Sequence, residues 1–391
     1  MRARSRIGAL VVALVALLAA CTSSTGEPPG PAPSTIDGSP AAAVTVKIAF
    51  VEDLAPEEAA DRVAPAYQGA RLAIDTATLR GGLPAEIELV AMDTGGDPAS
   101  VAAEIAEDPA FVGVIGAPFL TGQAALGAVL DAAGVPTITL STLGPDLSTN
   151  GWTTWRRAVA GQVDQARAIA RYVEGLHGAA AGVCLLGDGS PVSVGLLNAV
   201  SRTIRAPVVL RSRLPVAEDG PEQAAARVET SRCGVVVWGG YAGRGALLRH
   251  QLVEVGLRDV PFVGGEGLKD ERFPAVSGSA GIGTVASCSC VDLTTSTRFA
   301  AQRFIQDYQS DFGLPPGPYA VEAWDVARMF LQATAAGAIT RERMAAALAA
   351  MGPFQGLAGR YAFRPDGELT RGSVAVHLFR DEGGRWLPLE R

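Results

Sequence analysis

The chain has 391 residues, 48% of them hydrophobic and 19% charged, and a formal net charge of −7. An acidic balance argues against nucleic acid or an anionic lipid surface as the partner. The length exceeds what one hydrophobic core organises, so two lobes are expected.

Arg2, Arg4 and Arg6 precede an apolar segment over 7–20, and Leu18-Ala19-Ala20 leads into Cys21. The apolar run is a secretory signal, too short for a transmembrane helix, which needs about 20 such residues. Leu-Ala-Ala-Cys is similar to a bacterial lipobox, so Cys21 is expected to carry lipid as the first residue of the mature chain once 1–20 are removed. Loss of those three arginines makes the remaining body more acidic. Residues 21–43, rich in Ser, Pro and Gly, read as a flexible tether.

From Val44 onward strand and helix patterns alternate. Strands are predicted over 46–52, 87–93, 113–116 and 136–140, with helices over 66–79, 98–107 and 121–133 between them. Such alternation implies a parallel sheet covered on both faces. The stretch 112–121 is a buried strand ending in a loop broken by Gly116 and Pro118, with Thr121 placed to cap the next helix. Backbone N–H groups left free at such a helix start suit an anion such as a carboxylate, although an ordinary strand-to-helix turn reads the same way. After Trp155-Arg156-Arg157 the pattern restarts, with helices over 163–176, 196–203, 224–230 and 244–255, and strands over 182–186, 208–214, 234–238, 261–263 and 283–290. Helices over 299–312, 321–336 and 341–350 follow, and 359–363 with 373–380 are expected to form an antiparallel tail.

The fold class is therefore α/β, with two doubly wound lobes joined by a multi-segment hinge and a ligand cleft between them. Lobe 1 is 44–156 with 294–350, and lobe 2 is 157–293 with 351–391. Ligands of open α/β sheets sit outside the carboxyl ends of the strands, so facing lobes place one in the cleft.

Five cysteines leave four once Cys21 is lipidated. Outside the cytoplasm paired thiols are usually disulfides. Cys184 and Cys233 each open a strand-like run and could face one another at the same end of neighbouring parallel strands, which predicts a structural bridge. Cys288 and Cys290 form either a local bridge or free thiols. His177, His250 and His377 are scattered without ligand spacing, so no metal site is expected. No nucleophile elbow, Walker loop or dinucleotide fingerprint appears, Asp93 and Asp97-Pro98 read as a helix start, and neither catalysis nor a cofactor is expected.

Several stretches together make the chain similar to the branched-chain amino acid (Leu/Ile/Val) binding family of ABC transporters, type I periplasmic binding proteins. The resemblance spans about 44–391. Gly69-Ala70-Arg71-Leu72-Ala73 resembles the family's first helix, and Met92-Asp93 through Asp97-Pro98 its acidic turn. Val114-Ile115-Gly116 with Thr121 and Gly122 resembles the loop that receives the ligand carboxylate, and Leu140-Ser141-Thr142 the strand end that gives it hydroxyls. Arg157 and Gln165 match an arginine and a glutamine of the first crossover. Trp238-Gly239-Gly240-Tyr241 and Gly264-Gly265-Glu266-Gly267 are the most specific matches. The resemblance implies that Tyr241 lines the second wall and that Glu266 binds an α-ammonium group, with the carboxylate end held by Thr121, Gly122, Ser141 and Thr142. A shielded carboxylate is a strong partner for a cation.

The departures concern the ligand. Val192-Ser193 stands where the family often has an aromatic-glycine pair, Leu54-Ala55-Pro56 replaces a Ser-Gly-Pro signature, Arg62 stands near a wall aromatic, and Thr94-Gly95-Gly96 has no counterpart of an early disulfide. These changes argue against a tight leucine receptor and for a ligand with a polar or acidic side chain. The expected protein is a monomeric, lipid-anchored solute receptor on the outer face of the cell membrane that closes on an amino acid or related zwitterion and delivers it to ABC permease subunits. The alternative is a ligand sensor of the same fold that signals to a membrane partner without transport.

Overall fold

The computed structural model describes residues 44–54, 59–214, 217 and 219–389, the side chains of 59–62 excepted. The signal segment, Cys21, the tether and the Arg62 side chain lie outside the described residues. The first lobe is built by β1 (Thr45–Glu52), α1 (Ala59–Arg80), β2 (Glu86–Asp93), α2 (Pro98–Glu107), β3 (Phe111–Gly116), α3 (Gln123–Ala132), β4 (Thr137–Thr139) and β5 (Trp155–Arg157). Their sheet has the order β2-β1-β3-β4-β5 and is parallel throughout. Ile48, Ala49, Phe50 and Val51 on the central strand are fully buried, which is why this strand reads as a continuous apolar run instead of alternating. Asp97 caps α2 by accepting a hydrogen bond from the Ser100 N–H, and Pro98 supplies the preset first turn.

The chain then crosses to α4 (Gln162–Glu174), β6 (Val183–Gly187), α5 (Pro191–Thr203), β7 (Val208–Arg213), α6 (Gly220–Ser231), β8 (Val235–Trp238), α7 (Ala242–Glu254), β9 (Phe262–Gly264), α8 (Arg272–Ser277) and β10 (Val285–Cys288). It returns through α9 (Phe299–Phe312), α10 (Ala320–Ala335) and α11 (Arg341–Ala350), and ends in β11 (Phe354–Gln355), β12 (Arg360–Tyr361), β13 (His377–Asp381) and β14 (Trp386–Pro388). The second sheet has the order β14-β13-β10-β9-β8-β6-β7, so both lobes carry the same 2-1-3-4 winding of parallel strands. Helix α10 packs on α1 and on β3, and Gly69 makes this possible, because a Cβ there would collide with the Ala320 carbonyl oxygen. Two lobes thus share three crossovers, around 158–161, 289–298 and 362–376.

Two expectations need correction. The tail segments 359–363 and 373–380 do not pair as a hairpin: β12 pairs with β11, while β13 adds antiparallel to β10 and β14 to β13. Strand β10 offers a ready edge, and satisfying its backbone groups outweighs a local pairing of 359–363 with 373–380. Residues 351–363, expected in lobe 2, put Phe354 and Tyr361 into the core beneath α10 of lobe 1, whereas β13 and β14 extend the second sheet.

Cys184 and Cys233 are joined, with Cα atoms 5.7 Å apart, inside the core of the second lobe. Cys288 and Cys290 are joined too, their Cα atoms 5.0 Å apart, where β10 ends and the second crossover begins.

Candidate functional site

Strand β9 ends at Gly264, and a single 3-10 turn over Glu266–Leu268 carries the glutamate into the protein, where it is 4% exposed. The glycines permit this turn to sit close, since a Cβ at Gly267 would press on the Gly240 carbonyl. The Glu266 carboxylate accepts hydrogen bonds from the Thr142 hydroxyl and the Tyr319 phenol, and from Gln165 Nε2 at 2.6 Å. The Ser289 N–H contributes as well. Thr142 follows β4 and Tyr319 begins α10, both packed with the first sheet, while Gln165 lies on α4 of the second lobe and Ser289 on the second crossover. One carboxylate therefore ties together both lobes and the hinge. Burial pushes its pKa up, and the hydrogen bonds from Thr142, Tyr319 and Gln165 oppose that rise. The Tyr319 phenol is held well above its ordinary value by burial and by the charge of Glu266, so it stays a donor.

Thr142 is held in place from behind. Arg157, 1% exposed at the end of β5, donates through Nη1 to the carbonyls of Ser141 and Leu143 and through Nη2 to that of Gly144, each at 2.7 Å. Its Nε meets Glu368 at 3.1 Å. Burial lowers the guanidinium pKa and Glu368 counteracts this. Gln165 also donates to Ser289 Oγ at 3.2 Å, and that hydroxyl donates to the Ala160 carbonyl at 2.7 Å, which links the first and second crossovers.

The other residues singled out from the sequence are distributed around this centre. Ser141 Oγ donates to the Leu120 carbonyl and accepts from the Leu143 N–H, each at 3.3 Å, so the hydroxyl shapes its own loop. Thr121 does not cap α3: Gly122, with φ 63°, occupies the cap position, and the Thr121 hydroxyl instead donates to the Asp53 carboxylate. A left-handed cap is far cheaper for glycine than for a β-branched threonine. Tyr241 precedes α7 and donates its N–H to Asp188 at 2.8 Å, and Gly240 leaves room for that carboxylate. Val192 is 2% exposed in the first turn of α5, its carbonyl accepting from Gln162 Nε2 at 3.0 Å.

Sequence reasoning missed Tyr319, Ser289, Phe119, Asp53 and Asp188. Phe119 sits edge-on to both Tyr241 and Tyr319, with ring centroids 6.1 Å apart in each pair. Phe119 and Tyr319 have φ of 62° and 66°, a conformation costly for large side chains, roughly 1–3 kcal/mol each, and one that clusters at ligand sites. Tyr319 carried one signal in the sequence: an aromatic directly after Gly317-Pro318, at the start of a long helix.

Two α/β lobes with strand ends turned toward a shared buried carboxylate define a two-lobed solute-binding protein. Residues 45–383 match the periplasmic binding protein family, and the chain belongs to it. It is 24% identical over 337 residues to the Leu/Ile/Val-binding protein BraC3 of Rhizobium johnstonii, covering 82% of this chain and 88% of that protein. A Leu/Ile/Val-binding protein homologue of Brucella melitensis is 25% identical over 339 residues, covering 83% and 88%. Among solved structures, the branched-chain amino acid transporter substrate binding protein LivJ of Streptococcus pneumoniae, in complex with isoleucine, superposes with a TM-score of 0.77. It has 23% identity and covers 88% of this chain and 97% of its own. The leucine binding protein LivK of Thermotoga maritima gives 0.76 at 20% identity, with coverages of 88% and 98%. The expected type I fold and family resemblance hold, and the family is one of binding proteins, not enzymes. Among the described residues no group of three or more His, Cys, Asp and Glu side chains could hold a metal ion.

Proposed function

We propose that this chain is the solute receptor of an ABC transporter, anchored by lipid on Cys21 outside the cytoplasm, and that its lobes close on an amino acid or related zwitterion. The observation that carries the reading is Glu266, a buried carboxylate between the lobes whose described partners are the neutral donors Thr142, Gln165, Tyr319 and Ser289. A buried anion held by neutral donors gains most from a cationic partner, and a ligand ammonium supplies one. The named preferences of the relatives, Leu/Ile/Val in two proteins and isoleucine bound in a third, support an α-amino acid as the core of the ligand. The carboxylate end is assigned to backbone N–H groups of the Thr121 and Gly122 turn and of the loop that Arg157 shapes around Thr142, because the hydroxyls of Thr121, Ser141 and Thr142 donate to Asp53, the Leu120 carbonyl and Glu266. Because these groups belong to different lobes, a zwitterion stabilises the closed arrangement over the open one, which is the differential affinity that ligand-driven closure requires.

A thermal-shift screen over amino acids, amides and polyamines, followed by calorimetry on the hits, tests this: a bound zwitterion raises Tm by mass action. Glu266→Gln should weaken the identified ligand more than about tenfold, in keeping with the loss of one partner of a desolvated pair, while the exposed Glu107→Gln leaves affinity unchanged. A zwitterion that binds both parent and Glu266→Gln equally would remove the ammonium role. A screen in which only uncharged solutes bind would remove the amino acid reading itself.

A further inference from the structure

A cavity of about 510 Å³ lies on the hinge, lined by the first turns of α4 and by the return segment 364–376. Five arginines line it, Arg157, Arg167, Arg171, Arg364 and Arg371, against the carboxylates of Asp164 and Glu368. In a chain of net charge −7 this is a local reversal of sign. Three of the arginines are already matched. Arg157 is spent on Glu368 and the loop carbonyls, Arg167 pairs with Asp164 at 2.7 Å, and Arg364 pairs with Asp366 at 2.8 Å. Among the described residues no carboxylate pairs with Arg171 or Arg371.

These two arginines stand on different walls, Arg171 on α4 and Arg371 on the return segment. Arg171 lies seven residues beyond Asp164 and four beyond Arg167, so all three occupy one face of α4. The same cavity is lined by Gly161, Gln162 and Val163, the start of that 13-residue helix, whose cap residue Gly161 supplies no side-chain acceptor. The N–H groups of that turn are already engaged, Gln162 with the Thr142 carbonyl and Asp164 and Gln165 with the Gly161 carbonyl, so recognition of an anion here falls to the arginines. We infer that this hinge cavity binds a small polyanion carrying at least two anionic groups, one met by Arg171 and the other by Arg371. Guanidinium forks recognise carboxylate and phosphoryl oxygens alike, so the shared chemistry is multivalent anionic oxygen, whether from a polycarboxylate or from a phosphoryl compound. The site is separate from Glu266, and the inference does not depend on the identity of the amino acid ligand.

The test uses the full folded body with citrate and pyrophosphate as probes, in thermal shift and calorimetry at fixed ionic strength. At least one probe should raise Tm saturably and bind at a single site. The double variant Arg171→Ala, Arg371→Ala should weaken that probe about tenfold or more, as expected for lost charge-assisted hydrogen bonds. Arg303→Ala, which alters an exposed pair with Asp307 on α9, should leave it unchanged. Preference for citrate identifies a polycarboxylate site, and preference for pyrophosphate a phosphoryl site. No saturable binding of either probe, binding retained by the double variant, or an effect reproduced by sodium chloride at matched ionic strength would overturn the inference.

Discussion

Glu322 on α10 is fully buried, with one carboxylate oxygen accepting the Val291 N–H at 2.7 Å and the other without a hydrogen-bond partner. Burial raises its pKa from 4.5 to about 8; the Val291 bond and Lys269 oppose the rise, and the neighbouring Asp325 adds to it. The folded protein therefore keeps a proton that the unfolded chain releases, and stability must fall as pH rises from 4.5 toward 8, with the full benefit present only below 4.5. Asp325, raised to about 6 by burial, acts in the same direction at lower pH, and burial raises Glu266 too, so comparing parent with Glu322→Gln over about 6.5 to 8 is what singles out Glu322. One proton across that window corresponds to about 2 kcal/mol. Glu322→Gln keeps the acceptor for Val291 and removes the proton. Its buried amide carries a constant cost of roughly 1–3 kcal/mol, which cancels when the same variant is compared at two pH values. Urea unfolding at both ends of the window should show the parent losing about 2 kcal/mol and the variant much less. Equal losses would mean that Glu322 is not the titrating group and that the folded-state proton lies elsewhere.

The same reasoning fixes the pH dependence of binding at Glu266. Its pKa is raised by burial while an ammonium ligand prefers the ionised form, so calorimetric affinity should decline as pH falls toward the mildly acidic range, and Glu266→Gln should abolish the dependence. Tyr319→Phe removes one donor to Glu266 and keeps the ring against Phe119. Ligand affinity should drop by about 1–3 kcal/mol with the unfolding transition nearly unchanged, and unaltered affinity would show the phenol to be a bystander. Cys184→Ala with Cys233→Ala removes a bridge across 49 residues of the second lobe, and a loss of about 2–4 kcal/mol in urea unfolding is expected without change in ligand affinity. Leucine should not bind with submicromolar affinity in calorimetry; if it does, the departures at Val192 and Arg62 carry no selectivity.

The alternation of apolar strands and amphipathic helices made both lobes legible, and the helices at Pro98–Glu107, Phe299–Phe312 and Arg341–Ala350 fall where sequence places them. Local signals explain this: Asp97-Pro98 starts the first, Gly313 ends the second with φ 73°, and the Thr340 side chain caps the third. The tail was misread because strand pairing is non-local. Nothing within 373–380 states that its partner is β10, nearly a hundred residues earlier. Thr121 was misplaced for a subtler reason, since Gly122 follows it and takes the left-handed cap that threonine disfavours.

The site divides the same way. Glu266 and Gln165 were legible through the family resemblance, Glu266 in the Gly264-Gly265-Glu266-Gly267 match and Gln165 in the match at the first crossover. Tyr319 and Ser289 were not, because their roles depend on where the crossovers bring them: Tyr319 lies 53 residues from Glu266 in sequence, and Ser289 acts through its backbone. That placement has a consequence for closure. Ser289 stands between the joined Cys288 and Cys290, so its N–H and hydroxyl are presented from a segment held at both sides, and both point into the Gln165 and Glu266 cluster. Arg157 does the same from the first crossover, fixing the carbonyls on either side of Thr142. The groups that meet Glu266 are thus supported on the hinge itself, so rotation of one lobe against the other must remake contacts at a single carboxylate. A hinge built this way favours two discrete arrangements over a continuum, because neutral donors cannot leave a buried carboxylate singly without a cost of about 1–3 kcal/mol each.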